Sequence, residues 1–270
     1  MDERPIGVFD SGLGGLTTVK RLTQLLPEES IIYLGDTGRV PYGSRSKETI
    51  VKYTRQAAEF LVGHDIKALV IACNTACSSA FEMIDDLFEI PVYEVITAPA
   101  IAASNCTKNG KIGVIGTYAT IRSGAYEAAI KKQDPALSVY SVPCPLFVPL
   151  VENGRTGPED IAALDIAEEY LAVLRNMDID TLILGCTHYP LLRNVISKVV
   201  GQDVMLIDSG SETAGLVAED IFSRKMNAMP CTEGTIRFFV TDSIEGFSSL
   251  ASRYMEADIS TKVEQITLEQ

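Results

Sequence analysis

No run of apolar residues in this 270-residue chain reaches the roughly 18 that a helix needs to span a bilayer. The opening MDERPIGVFDSG is charged and passes straight into strand-like sequence. It lacks the basic, apolar and small-residue succession of a secretory signal, so the expected compartment is the cytoplasm. Positive charge is in deficit. Against 36 Asp and Glu there are 23 Lys and Arg, and the net charge of −13 disfavours phosphate backbones and acidic membranes. Neither nucleic acid nor membrane is an expected partner. No Pro/Gly/Ser-rich linker or low-complexity tract divides the chain. Gly12-Leu13-Gly14-Gly15 lacks the spacing and the Lys-Ser/Thr ending of a P-loop, and does not fit the dinucleotide fingerprint.

What is present reads as a well-packed α/β protein. With 46% hydrophobic and 22% charged residues, the chain can bury one large or two small cores. PIGVFD, SIIYLGD, IKALVIACN and PVYEVI read as strands in the first half; GKIGVIGT, LSVYSVPC, TLILGC and VMLIDSG follow in the second. GLTTVKRLTQLL, SKETIVKYTRQAAEFL and TACSSAFEMIDDLF lie between them with helical spacing of apolar residues, as do GAYEAAIKK and the stretch 158–176. Continuous apolar strands alternating with helices predict mainly parallel sheets covered on both faces. IGVFDSG is echoed by IGVIGTY, and ALVIACNT by TLILGCTH, in the same order and at similar spacing. Two echoes in register predict two related lobes, with the first boundary near Thr97–Ala100. A further strand–helix–strand follows Gly210, and its pattern fits either lobe.

Six cysteines in a reducing compartment are mostly packing residues. Cys77 should pack inward from a helix; Cys106, Cys144 and Cys231 show no partner pattern. Cys73 and Cys186 differ, because each follows an apolar strand and precedes a helix, where open parallel sheets gather their ligands. A thiol at a helix start is expected to have a depressed pKa and to accept a proton. One such thiol in each lobe suits a cleft in which one group removes a proton from a carbon and the other delivers one to the opposite face. Asp10 is placed to assist Cys73 and His188 to assist Cys186, although both also suit ordinary strand-end caps. The loop DTGRVPYGSRSKE, from Asp36, could close over a ligand with the backbone of Tyr42 and Gly43. His64 reads as a surface residue near a helix end.

IGVFDSGLGGL, DTGRVPYGSRS, ALVIACNTAC, IGVIGTYATI, VPLVENG and LILGCTHYPLL, in this order, resemble the cofactor-independent glutamate racemases. The resemblance runs from about Pro5 to Gly210. It implies two pseudo-symmetric lobes with glutamate in the cleft between them, residues 1–97 with 211–270 forming one and 98–210 the other. It also implies a supply of D-glutamate for bacterial peptidoglycan. Carried over by position, Cys73 matches the base for D-glutamate and Cys186 the base for L-glutamate. Asp10 then assists the first thiol, and His188 with Glu152 the second. Ser11, Tyr42, Gly43, Asn74, Thr75, Thr117, Thr120 and Thr187, with Asp10 and His188, match positions that hold the substrate. Cys77 departs from the family, which has Ser, Thr or His there.

No cofactor and no metal are expected. Neither cysteine motif contains a lysine to anchor a pyridoxal group. Three other readings remain: a racemase of aspartate or another acidic amino acid, a zinc module built on Cys73, Cys77, Cys186 and His188, and a non-catalytic solute-binding protein. The oligomeric state is open, a homodimer included.

Overall fold

The computed structural model describes residues 1–230 and 233–268; Cys231 lies outside the described residues. Among the described residues, ten strands build two parallel sheets. β1 (Ile6–Asp10), β2 (Ile31–Gly35), β3 (Ala68–Ile71) and β4 (Val92–Glu94) belong to the first sheet; β5 (Lys111–Gly116), β6 (Ser138–Pro143), β7 (Thr181–Gly185) and β8 (Met205–Asp208) make the second. β9 (Ile236–Val240) and β10 (Val263–Gln265) return to the first. Their orders are β10-β9-β2-β1-β3-β4 and β6-β5-β7-β8. Strip β9 and β10 from the first sheet and the two orders coincide, 2-1-3-4 in each. The echoes seen in the sequence are therefore structural equivalents, since β1 corresponds to β5 and β3 to β7.

The central strands β1, β2, β3 and β7 are buried along their whole length. That explains why they read as continuous apolar runs rather than alternating ones. Helices α1 (Leu16–Leu25), α2 (Lys47–Val62) and α3 (Asn74–Asp85) link the first strands. α4 (Thr97–Cys106) stands where a boundary was expected, so the chain passes between lobes through a helix and not a linker. In the second lobe come α5 (Tyr118–Ser123), α6 (Ala125–Gln133), α7 (Phe147–Glu152), α8 (Ile161–Asn176) and α9 (Arg193–Val200). α10 (Ser209–Ser223) and α11 (Ile244–Met255) complete the order. α10 lies against α1, so closely that a Cβ on Gly210 would stand 2.4 Å from Thr18 Oγ1.

The C-terminal strand–helix–strand, left open by its pattern, pairs β9 with β2 in parallel, Tyr33 opposite Phe238. Among the described residues no helix is long and apolar enough to cross a membrane.

Candidate active site

Equivalent strand ends from the two lobes meet around one cavity of about 400 Å³. Both Cys73, after β3, and Cys186, after β7, line it, although each is only 5–6% exposed. Ser11, Tyr42, Gly43, Asn74 and Thr75 line it from the first lobe, and Thr117, Glu152, Thr187 and His188 from the second. Two positions singled out in the sequence stand behind this wall. Asp10 is fully buried, and Thr120 joins the lining through Thr117 and Thr75.

On the first-lobe side, Cys73 caps the N-terminus of α3 and its thiol lies 3.4 Å from Ser11 Oγ. A depressed thiol pKa was expected from the helix start. Instead burial pushes Cys73 up to about 12, and the Asp10 carboxylate adds to the rise. The Ser11 hydroxyl and the Ala76 N–H pull the other way without prevailing. Loss of hydration outweighs the helix terminus because the sulfur has almost no contact with solvent. Asp10 Oδ2 accepts the Gly12 N–H at 2.9 Å, and Thr187 Oγ1 of the other lobe donates to Asp10 Oδ1 at 3.4 Å.

The second thiol has an imidazole beside it. Cys186 Sγ is 3.9 Å from His188 Nδ1, and His188 Nε2 is 3.4 Å from Glu152 Oε1 without a well-aligned hydrogen bond. Burial alone would lower the His188 pKa. Contact with Cys186 and Glu152 and the negative charge of Cys186 and Asp10 overcome it, raising the value to about 10. The imidazole is held between the Cys186 sulfur and the Glu152 carboxylate.

Thr75, Thr117 and Thr120 form a hydroxyl cluster that bridges the lobes, with Thr75 Oγ1 3.0 Å from Thr117 Oγ1 and Thr117 Oγ1 3.1 Å from Thr120 Oγ1. Thr117 also caps α5, its Oγ1 accepting the Thr120 N–H at 3.3 Å. Asn74 lines the cavity, but its amide donates to Val95 O at 3.2 Å and to the Tyr126 hydroxyl at 2.7 Å. Its side-chain donors are therefore engaged by the protein. Tyr42 is similar, since its hydroxyl donates to the Asp36 carboxylate.

Several further residues line the cavity without having been singled out in the sequence: Val40, Pro41, Ser44, Tyr118, Pro145, Val148 and Pro149. Gly14 is a further omission. A Cβ there would lie 2.2 Å from Thr187 Oγ1 and 2.7 Å from His188 Nδ1, so this glycine lets the two lobes touch beside the second thiol. The glycines after β1 serve close approach of protein to protein.

Of the other described cysteines, Cys77 and Cys144 are buried and Cys106 is exposed. Cys77 is buried, with its thiol donating to Ile71 O at 3.0 Å, and it does not line the cavity. That direction removes it from the four-ligand zinc set. His64, expected at the surface, is half-buried just beyond α2, with its ring 4.6 Å from that of Phe60 and 5.1 Å from that of Phe239.

Similarity to known proteins agrees with this geometry. Residues 6–217 match the family model described as Asp/Glu/Hydantoin racemase. A glutamate racemase from Geobacter metallireducens is 46% identical over 269 residues, covering 100% of this chain and 98% of the relative. Among solved structures, a glutamate racemase isoform from Bacillus anthracis superposes with a TM-score of 0.94 at 42% identity, covering 99% of each chain. The glutamate racemase from Francisella tularensis, solved in complex with D-glutamate, gives 0.92 at 41% identity over 100% of this chain and 99% of that one. The chain belongs to the Asp/Glu/Hydantoin racemase family, and within it to the glutamate racemases.

Proposed function

We propose that this enzyme interconverts L- and D-glutamate through Cys73 and Cys186, acting in turn as base and acid on opposite faces of Cα and without a cofactor. The observation that carries this reading is one cavity lined by two thiols from equivalent positions of two like lobes. In the L-to-D direction Cys186, as thiolate beside protonated His188, takes the Cα proton, while Cys73 as thiol delivers one to the other face. The reverse direction exchanges the roles. His188 and Glu152 serve the second thiol, and Asp10 with Ser11 the first. Backbone N–H groups at the starts of α3 and α5, the Tyr42–Gly43 backbone and the threonine cluster hold the carboxylates. Such donors are needed against a net charge of −13.

Thiolate basicity is not sufficient alone. A turnover of about 10 per second corresponds to a barrier of about 16 kcal/mol, and the Cα proton of an amino acid is far less acidic than a thiol. Fixed donors that bind the α-carboxylate more strongly as carbanion character develops, in a site with little water, make up the difference. The domain division that accompanies this reading is residues 1–97 with 211–270 and residues 98–210. Its biological role would be D-glutamate supply for peptidoglycan in the cytoplasm.

The two enantiomers have equal free energy in water, so kcat/KM is the same in both directions for every variant. Directional roles must be read from a partial reaction. In D₂O, without added pyridoxal phosphate and with a chelator present, the enzyme should racemise each enantiomer of glutamate and place deuterium at Cα. Cys73→Ala and Cys186→Ala should each abolish racemisation while preserving the fold. Cys73→Ala should still exchange the Cα proton of L-glutamate with retention, and Cys186→Ala that of D-glutamate. Full racemisation by either variant would refute the two-base assignment, and preference for aspartate would change the substrate.

A further inference from the structure

The cavity wall includes Tyr42 and Gly43, whose loop packs against Thr117 of the other lobe and is tied down by hydrogen bonds outside the cavity. The loop runs from the end of β2 to the start of α2, and its anchor is Asp36, a carboxylate with no solvent exposure. Three donors converge on it. Arg39 Nε donates to Oδ2 at 2.7 Å, the Tyr42 hydroxyl donates to the same oxygen, and Thr241 Oγ1 donates to Oδ1 at 2.8 Å. The first two belong to the loop. The third comes from the residue after β9, in the returning C-terminal segment.

Thr241 engages the loop more than once. Its hydroxyl accepts the Gly38 N–H at 2.9 Å, and the neighbouring Asp242 N–H donates to Thr37 Oγ1 at 3.0 Å. Arg39 extends the set outward, with Nη1 2.6 Å from Gln56 Oε1 and its guanidinium 4.1 Å from the ring centre of Tyr53 on α2. The Tyr42 ring is buried between Phe9 and Tyr53, with centroids 6.2 and 5.7 Å away. With its hydroxyl on Asp36, Tyr42 directs its side chain into the protein, and its backbone is the part left for a ligand. Among the described residues, none that lines the cavity comes from beyond His188.

We propose that Asp36 is a positioning residue for turnover, linking Thr241 of the C-terminal segment to the Tyr42–Gly43 wall of the substrate cavity. The segment after Gly210 thereby influences substrate binding without touching it. A buried carboxylate with three converging donors holds those donors to a narrow geometry, and a displacement of about 1 Å in a positioning group can reduce rate about a hundredfold.

The inference rests on the glutamate reading above, and the experiment separates the two. Glutamate racemisation is followed in both directions for wild type, Thr241→Val, Thr241→Ser and Tyr42→Phe, with thermal unfolding measured alongside. Thr241→Val and Tyr42→Phe should each raise KM for glutamate by about tenfold, with a smaller change in kcat. Thr241→Ser, which restores the hydroxyl, should return KM to within about twofold of wild type. The Thr241→Val/Tyr42→Phe double variant should fall short of the product of the single effects, because both act through one carboxylate. Unchanged kinetic constants in Thr241→Val and Tyr42→Phe would overturn the proposal, as would failure of serine to restore KM. If wild type does not act on glutamate, the functional reading fails instead.

Discussion

At the scale of single residues, the two thiols do not share one environment. Cys73 has a hydroxyl neighbour and a buried carboxylate behind it; Cys186 has an imidazole and, beyond that, a second carboxylate. The consequence is testable through stability. His188 is raised from its ordinary 6.5 to about 10, so the folded protein holds a proton that the unfolded chain releases. Its contribution is complete below pH 6.5 and is lost as pH rises through 10. Cys73, raised from 9.0 to about 12, acts with the same sign but only above pH 9. Urea denaturation between these limits should show stability falling as pH rises from 6.5 toward 9, with His188→Gln flattening the slope. A slope unchanged in His188→Gln would place the titrating group elsewhere.

Which of these residues could be read from sequence follows from their chemistry. Cys73, Cys186, Asp10 and His188 stand at strand ends, and polar groups after apolar runs are visible in a string of letters. The direction of the Cys73 shift was not visible, because it depends on the depth of burial contributed by residues distant in the chain. Asn74 reads as a substrate-side residue, yet its amide bonds Val95 and Tyr126, while Tyr42, expected to offer its backbone, has its hydroxyl on Asp36. Only coordinates reveal which way a polar group on a cavity wall directs its donors.

At the scale of elements, every strand anticipated from apolar runs is present, and β1, β2, β3 and β7, buried throughout, announce themselves by composition. The omissions are helices. α5 and α7 have six residues each, too short for periodicity to emerge. α4 has almost no polar face to contrast with its apolar one, being Thr-Ala-Pro-Ala-Ile-Ala-Ala-Ser-Asn-Cys. α10 starts with Ser-Gly-Ser, which reads as a turn. Its start is fixed by Asp208, whose carboxylate accepts the N–H groups of Gly210 at 2.9 Å and Ser211 at 3.1 Å. Asp208→Ala should therefore lower stability by about 1 kcal/mol. The urea midpoint should fall with an unchanged m-value, and a changed m-value would show that more than a cap is lost.

At the scale of the whole molecule, distant segments are tied together at one fully buried cation. Lys67, directly before β3, pairs with Glu29 and donates to Asp2 O at 2.7 Å and Met226 O at 2.8 Å. Glu29 in turn accepts the Ala228 N–H at 2.8 Å. The N-terminal residues, the turn before β2 and the stretch after α10 are thereby joined. Lys67→Met should cost about 3–5 kcal/mol, because it leaves a buried carboxylate without its cation. Adding Glu29→Gln should recover a large part of that loss. A small effect of Lys67→Met in guanidinium denaturation would show that Glu29 finds water or another donor.

The return of β9 to the first sheet also bears on the order in which a ribosome could deliver this architecture. Residues 111–208 emerge as one uninterrupted stretch that carries all four strands of its own sheet. β2, by contrast, has β1 on one side and an open edge on the other until residues 236–240 leave the exit tunnel. The half of the protein that is translated first is thus finished last, and its exposed edge is the place where a nascent copy would be vulnerable to pairing with another.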